Sequence, residues 1–176
     1  LYLALKNGEK IENGLTKPLV KKEVTVFTYE ERKPAYEMLN PMFVFSLLFL
    51  LTIFITIRDI KRGKNSKWLD FSLFFINGLI GAFLIFLWFF TDHKTTLNNM
   101  SVLWGFAPNL LIAFYLLGKN TPKWLQHYLK LLLLLLMTLL LVWVSGIQYF
   151  SWALIPLLAV FILRYGYLLR LLSSKE

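Results

Sequence analysis

The sequence of 176 residues contains no cysteine, and only 16% of its residues are charged. Without cysteine the chain cannot form a disulfide, a thiolate zinc site, a cysteine nucleophile or a lipidated cysteine. It also lacks a G-x-S-x-G elbow, a P-loop, a GxGxxG loop and a His-Glu-x-x-His motif. The sequence therefore shows no complete active site of these classes, and no cofactor is expected.

Apolar residues make up 57% of the chain, more than a soluble protein of this size can hide from water in one core. They fall in five runs of about 16 to 23 residues, close to the roughly 20 that cross a bilayer as a helix. The runs are Pro41 to Ile57, Trp68 to Phe90, Val102 to Leu117, Leu129 to Val144 and Ser151 to Leu169. We therefore expect an all-α integral membrane protein, a bundle of five transmembrane helices preceded by a short extramembrane β-rich segment.

Residues 1–40 are the only stretch with the composition of a soluble protein. Residues 1–6 alternate as in a strand, Asn7-Gly8 is typical of a hairpin turn, and residues 24–29 are β-branched or aromatic. Two or three strands are too few for a stable domain. We interpret residues 1–40 as the end of an upstream domain with a linker, and residues 41–176 as the transmembrane domain.

The basic residues predict the orientation of the helices. The net charge is +9, and the connection after the second run carries only Lys94 while the connection after the fourth carries no basic residue. By the positive-inside rule, the N-terminal segment is then outside and the C-terminus cytoplasmic. Because topology accounts for the net charge, no nucleic-acid partner is expected. Eleven of the 19 basic residues lie on the predicted cytoplasmic side: Arg58, Lys61, Arg62, Lys64, Lys67, Lys119, Lys123, Lys130, Arg164, Arg170 and Lys175.

Several residues within the runs suggest local features. Pro108 and Pro156 each remove a helical hydrogen bond, which predicts kinks in the third and fifth helices. Asn77 lies beside Gly78 and Ala82, a pair of small residues that lets another helix approach closely.

Other intramembrane residues have simple interpretations. Arg164, thirteen residues into the fifth run, is expected to extend its side chain to the cytoplasmic headgroups. The six leucines of residues 131–136 are expected to form a lipid-facing stripe. Without an intramembrane pair of acids, the chain makes a poor proton-coupled carrier, and a small channel would need a continuous polar path.

The densest polar cluster lies at the outer ends of the second and third runs. One Asp and one His are too few to hold a metal ion, so no metal site is expected. A carboxylate beside an imidazole can fix a histidine tautomer for proton transfer; alternatively, this is a solvated loop with Ser101 capping the third helix. The candidate functional residues are Asp92, His93, Asn98 and Trp104, which we expect to converge near the outer surface, and Asn109, which we expect beneath them.

The same region carries a family resemblance. Its residues are Trp88-Phe89-Phe90-Thr91-Asp92-His93, then Thr96, Asn98, Asn99, Leu103-Trp104 and Pro108-Asn109-Leu110. With the β-rich stretch and five membrane runs, this pattern resembles the C-terminal five-helix membrane domain of the Bacteroidota lipoprotein N-acyltransferase family. The specific part of the resemblance is the stretch from Trp88 to Leu110.

The resemblance implies a role in acyl transfer to the N-terminal amine of lipoproteins in the bacterial inner membrane. It places the main catalytic groups in a periplasmic domain upstream of this chain, and it gives the outer cluster a role in positioning lipid or docking that domain. The implied partners are membrane lipid, lipoprotein substrates and the upstream domain. The alternative is a non-catalytic membrane anchor or scaffold for a periplasmic domain.

Overall fold

A computed structural model of the chain describes residues 8–12, 14–20, 40–91, 99–118 and 122–174. The chain divides into two compact units, Leu1–Ala35 and Tyr36–Glu176. In the first, strands β1 (Glu9–Glu12) and β2 (Leu15–Pro18) pair antiparallel.

The turn between these strands is not the one that the sequence suggested. The Gly8 carbonyl accepts a hydrogen bond of 2.8 Å from the Leu19 N–H, so Gly8 extends the paired strands. The turn instead contains Gly14 at φ 77°, a left-handed conformation that glycine adopts without strain. The strand candidates at residues 1–6 and 24–29 lie outside the described residues.

All regular secondary structure described in the second unit is helical, which confirms the expected all-α membrane fold with five helices. Four of these helices are long and apolar enough to cross a membrane, so the protein is a multi-pass membrane protein. The helices are α1 (Pro41–Arg62), α2 (Lys67–Phe90), α3 (Asn109–Leu117), α4 (Trp124–Val144) and α5 (Leu154–Ser173), with a 3₁₀ turn at Met100–Leu103.

Local sequence sets the ends of α1. The Asn40 side chain accepts a hydrogen bond of 3.0 Å from the Met42 N–H, and Pro41 occupies the first helical position, where no N–H is needed. At the other end Gly63 takes a left-handed conformation at φ 61° and closes the helix. The chain can therefore turn within four residues and enter α2.

The helices are arranged by three main contacts: α1 packs on α5, α5 on α4, and α2 on α3. Lys67, the first residue of α2, donates from Nζ to the carbonyls of Leu117 (3.1 Å) and Gly118 (2.5 Å) at the end of α3. Tyr115 of α3 contacts Trp124 at the start of α4. These contacts place the end of α3 beside the starts of α2 and α4, on the side that we call the basic end; α1 and α5 also end there.

A leucine seam joins α4 to α5. Leu125, Leu129, Leu132, Leu136 and Leu139 alternate at spacings of four and three residues, and each is at most 2% exposed. That spacing places them on one face of the helix, which packs on buried residues of α5.

The leucine run at residues 131–136 was expected to face lipid throughout. Leu131 and Leu134 are indeed exposed, but Leu132 and Leu136 belong to the buried seam. The expectation was therefore only partly correct, because a continuous run on a helix supplies both faces.

Small residues let α2 and the segment before α3 approach backbone to backbone. A Cβ atom on Gly78 would lie 2.0 Å from the Leu110 nitrogen, and one on Gly81 would lie 2.2 Å from the Gly105 carbonyl oxygen. The close approach expected at Gly78 is confirmed, and Gly81 takes part in it.

The third run is not one continuous helix. The 3₁₀ turn ends at Leu103, and α3 begins only at Asn109. Nine helical residues span roughly 13 Å, less than half the hydrocarbon layer. Pro108 immediately precedes α3, and Pro156 is the third residue of α5. Both prolines therefore lie at helix starts, which tolerate them, and the predicted kinks are wrong.

We predict that Gly78→Ala destabilises the protein by about 1–3 kcal/mol, because its Cβ would overlap the backbone of α3. The matched control is Gly166→Ala in α5, where an added Cβ meets nothing within 4 Å. The measurement is the unfolding free energy in detergent micelles. Equal stability of the two variants would contradict the close approach of α2 and α3.

Candidate functional site

The break before α3 leaves backbone N–H and C=O groups without helical hydrogen-bond partners. The side chain of Asn77 in α2 provides partners for two of them. Its Nδ2 donates to the Trp104 carbonyl at 2.6 Å, and its Oδ1 accepts from the Phe106 N–H at 3.2 Å. In lipid an unsatisfied backbone group costs several kcal/mol. Asn77, only 1% exposed, therefore makes the break tolerable at membrane depth.

Asn109, the first residue of α3, extends this network to α4. Its Nδ2 donates to Asn77 Oδ1 at 2.6 Å, and its Oδ1 accepts from the Tyr128 hydroxyl at 2.5 Å. Asn109 is completely buried. One chain of hydrogen bonds thus joins α2, the break, α3 and α4.

The structure describes two of the five candidate residues, Trp104 and Asn109. They come together at Asn77, through the carbonyl of the first and the side chain of the second. Trp104 is half-buried, and its ring stacks on that of Phe161 in α5 with the ring centroids 6.4 Å apart. Asp92, His93 and Asn98 lie outside the described residues, so convergence of all five remains a prediction.

An apolar groove of about 270 Å³ opens beside the break. It lies between the last turns of α2, the 3₁₀ turn and the middle of α4. Because the break replaces helix with a compact turn, it leaves space that a continuous third helix would fill. The lining residues are Ile85, Trp88, Phe89, Val102, Leu103, Gly105, Phe106, Ala107, Pro108 and Leu135.

Gln148, between α4 and α5, fastens the 3₁₀ turn to that connection. Its Oε1 accepts from the Met100 N–H at 2.8 Å, and its Nε2 donates to Asn99 Oδ1 at 3.0 Å. Asn99 in turn caps the 3₁₀ turn by accepting from the Ser101 N–H at 2.9 Å. The groove therefore has a fixed wall on the side nearest Asn99.

A second polar cluster lies toward the basic end and centres on Arg164 of α5, which is completely buried. The guanidinium donates from Nε and Nη2 to Asp70 Oδ1 at 2.8 and 2.6 Å. Nη1 donates to Asp59 Oδ2 at 3.1 Å and to the Thr56 hydroxyl at 3.0 Å. One side chain thus joins α1, α2 and α5.

Both carboxylates have further donors. Asp59 accepts from the N–H and hydroxyl of Ser66 at 2.8 and 2.7 Å, and Asp70 accepts from Asn65 Nδ2 at 2.9 Å. Asp70 lies in the first turn of α2, where the helix dipole favours an anion. Arg58 lies 3.5 Å from Asp59, so two cations face two anions.

This cluster corrects one interpretation of the sequence and adds a feature that it missed. Arg164 does not extend to the headgroups but is buried on two carboxylates. Asp59 and Asp70 form a buried pair of acids at the ends of α1 and α2 nearest the basic end. Both acids flank a basic connection, so the sequence analysis counted that region only as a topology signal. An arginine within an apolar run usually pairs with an acid, and the few acids near these runs could have indicated its partners.

Comparison with known proteins identifies one family. Residues 33–176 match the family model described as the Lnb transmembrane domain. No curated protein and no solved structure matches the chain.

We predict that Arg164→Met lowers the unfolding free energy by about 3–5 kcal/mol, because it leaves two buried carboxylates without their cation. Arg170→Met, on the same helix but exposed, should change it by about 0.5 kcal/mol or less. Adding Asp70→Asn to Arg164→Met should restore part of the loss. Chemical denaturation in micelles measures all three variants, and similar losses at positions 164 and 170 would exclude a structural ion cluster.

Proposed function

Because the chain belongs to the Lnb transmembrane-domain family, we propose that it is the membrane domain of a lipoprotein N-acyltransferase. It positions a lipid, or the upstream periplasmic domain, for acyl transfer to the N-terminal amine of a lipoprotein. In this proposal it spans the bacterial inner membrane, with the N-terminal segment periplasmic and the C-terminus cytoplasmic. The distribution of basic residues supports that orientation.

The apolar groove is the observation that carries the proposal. It is lined almost wholly by apolar side chains and lies between helices long and apolar enough to span a membrane, so an acyl chain is the ligand that suits it. Trp88 and Phe89, at the end of α2, form part of its wall. These two residues belong to the stretch that carries the resemblance to lipoprotein N-acyltransferases.

The residues that line the groove are also close in sequence to the candidate residues Asp92, His93 and Asn98. Phe89 is two residues before Thr91, and the 3₁₀ turn begins one residue after Asn99. Residues 92–98, which carry Asp92, His93 and Asn98, connect these two points. A chain held in the groove would therefore have its polar end near the periplasmic side in the proposed orientation.

We predict that Leu135→Trp in the full-length protein lowers lipoprotein N-acylation about tenfold or more, the effect of about 1.4 kcal/mol of lost binding. The larger ring would fill the groove that Leu135 lines. Leu134→Trp is the matched control, because the Leu134 side chain is next to Leu135 in the sequence but is 62% exposed and does not line the groove. The measurement is the acylation state of a reporter lipoprotein by mass spectrometry, in cells that depend on the introduced gene.

The same pair of variants separates the proposal from a simple membrane anchor. An anchor needs only to insert and to hold the periplasmic domain, so both tryptophan variants would then retain acylation. Equal activity of the two variants at equal protein level would therefore remove the groove from the mechanism.

We further predict that His93→Ala and Asp92→Ala reduce acylation in the same cells, if these side chains position substrate at the outer surface. The expected fall is about 10²-fold or more for a group that transfers a proton and smaller for one that only positions lipid. Protein level, checked by immunoblotting, should be normal. Unchanged acylation at normal protein level would reduce the cluster to a solvated loop.

A further inference from the structure

The basic end of the bundle presents many cations and no exposed described carboxylate. The connection between α1 and α2 and the neighbouring helix ends carry seven exposed basic side chains. They are Arg58, Lys61, Arg62, Lys64, Lys123, Lys130 and Arg170. An uncompensated group of this kind attracts anions.

The described carboxylates near this end are bound inside the bundle. Between residues 41 and 174 the sequence holds only Asp59, Asp70 and Asp92. The first two are 3% and 0% exposed and are bound to Arg164. Asp59 also lies near Arg58, so Arg58 is partly neutralised. None of the described carboxylates pairs with Lys61, Arg62 or Lys64.

The backbone that carries these three cations is held firmly in place. The Tyr167 hydroxyl of α5 donates to the Lys64 carbonyl at 2.9 Å, and the Lys64 N–H donates to the Asp59 carbonyl at 3.2 Å. Ser66 binds the Asp59 carboxylate through both its N–H and its hydroxyl. The cations therefore extend from an ordered turn, and binding an anion would not require the backbone to be ordered first.

The depth of the turn indicates which anion it meets. It follows directly on α1, a span of 22 residues. Trp68, one turn further along the chain, is 73% exposed, as is common for tryptophan at the headgroup level. Phosphate groups of lipids lie at this depth, and clustered Lys and Arg beside a span attract anionic lipids.

We propose that the end of α1 and the turn that follows it, which carry Lys61, Arg62 and Lys64, bind the phosphate groups of anionic phospholipids in the adjacent leaflet. Arg170 and the cations at the start of α4 add to the attraction at the same end. The ion cluster of Arg164 supports this binding indirectly, because it removes Asp59 and Asp70 from the surface. This lipid contact is separate from the acyl-chain groove and does not depend on acyl transfer.

The test uses the full-length protein reconstituted in vesicles of phosphatidylethanolamine with a minor fraction of spin-labelled phosphatidylglycerol. Electron spin resonance compares the motionally restricted fraction of this lipid with that of spin-labelled phosphatidylethanolamine. The wild-type protein should prefer phosphatidylglycerol, and Lys61→Gln/Arg62→Gln/Lys64→Gln should lower that preference about fivefold or more. The charge-conserving variant Lys61→Arg/Arg62→Lys/Lys64→Arg should retain it.

Two controls keep the result specific. Lys10→Gln/Lys17→Gln lowers the net charge in the other unit and should leave the preference unchanged. In the wild-type protein the preference should weaken as sodium chloride is raised, since exposed charges are screened by salt. This salt arm gives a result even if the triple variant fails to fold.

Three outcomes would overturn the proposal. They are equal restriction of the two lipids by the wild-type protein, an unchanged preference in a folded triple variant, and a preference that salt does not affect. A fourth comparison identifies the source of the phosphate. If inorganic phosphate abolishes the preference where chloride at the same ionic strength does not, the turn is a site for free phosphate and the lipid proposal is wrong.

Discussion

A hydrocarbon layer offers no hydrogen bonds, so each polar group that enters it must find a partner within the protein. In this chain two side chains meet most of that requirement. Asn77 completes the backbone where the third segment is broken, and Arg164 neutralises two carboxylates from α1 and α2. Among the described residues, no buried side-chain nitrogen or oxygen lacks a hydrogen-bond partner. The positions of the helices follow from these contacts as much as from apolar surface, which drives little association in lipid.

The two networks have different consequences for function. The Asn77 network allows the third segment to break, and the break creates the groove in which we place an acyl chain. The Arg164 cluster binds and buries Asp59 and Asp70, so the described surface of the basic end keeps its positive charge. Asn77 thus makes possible the apolar groove, and the burial of acids by Arg164 accounts for the cationic surface at the basic end.

The sequence predicted the helical membrane class because the apolar runs are long and charge is sparse within them. It also predicted the close approach at Gly78, since a residue without a side chain is the usual device for it. It failed where the outcome depends on contacts distant in the chain. Whether the third run would break depended on Asn77, 27 residues before Trp104. The burial of Arg164 depended on Asp70, 94 residues away. Of the candidate residues, Trp104 and Asn109 meet at Asn77, which the sequence analysis did not place among them; their role in function stays a prediction.

The long separations within the Arg164 cluster also bear on the order in which the domain can be completed. A chain is made from its N-terminus, so Asp59 and Asp70 are synthesised 105 and 94 residues before the arginine that binds both of them. Until then the two acids have only their local donors, Arg58, Asn65 and Ser66, together with water or the headgroup region. Their place near the ends of these helices lets them remain there. α1 and α2 therefore reach their final contacts only after α5, which carries Arg164, has been synthesised.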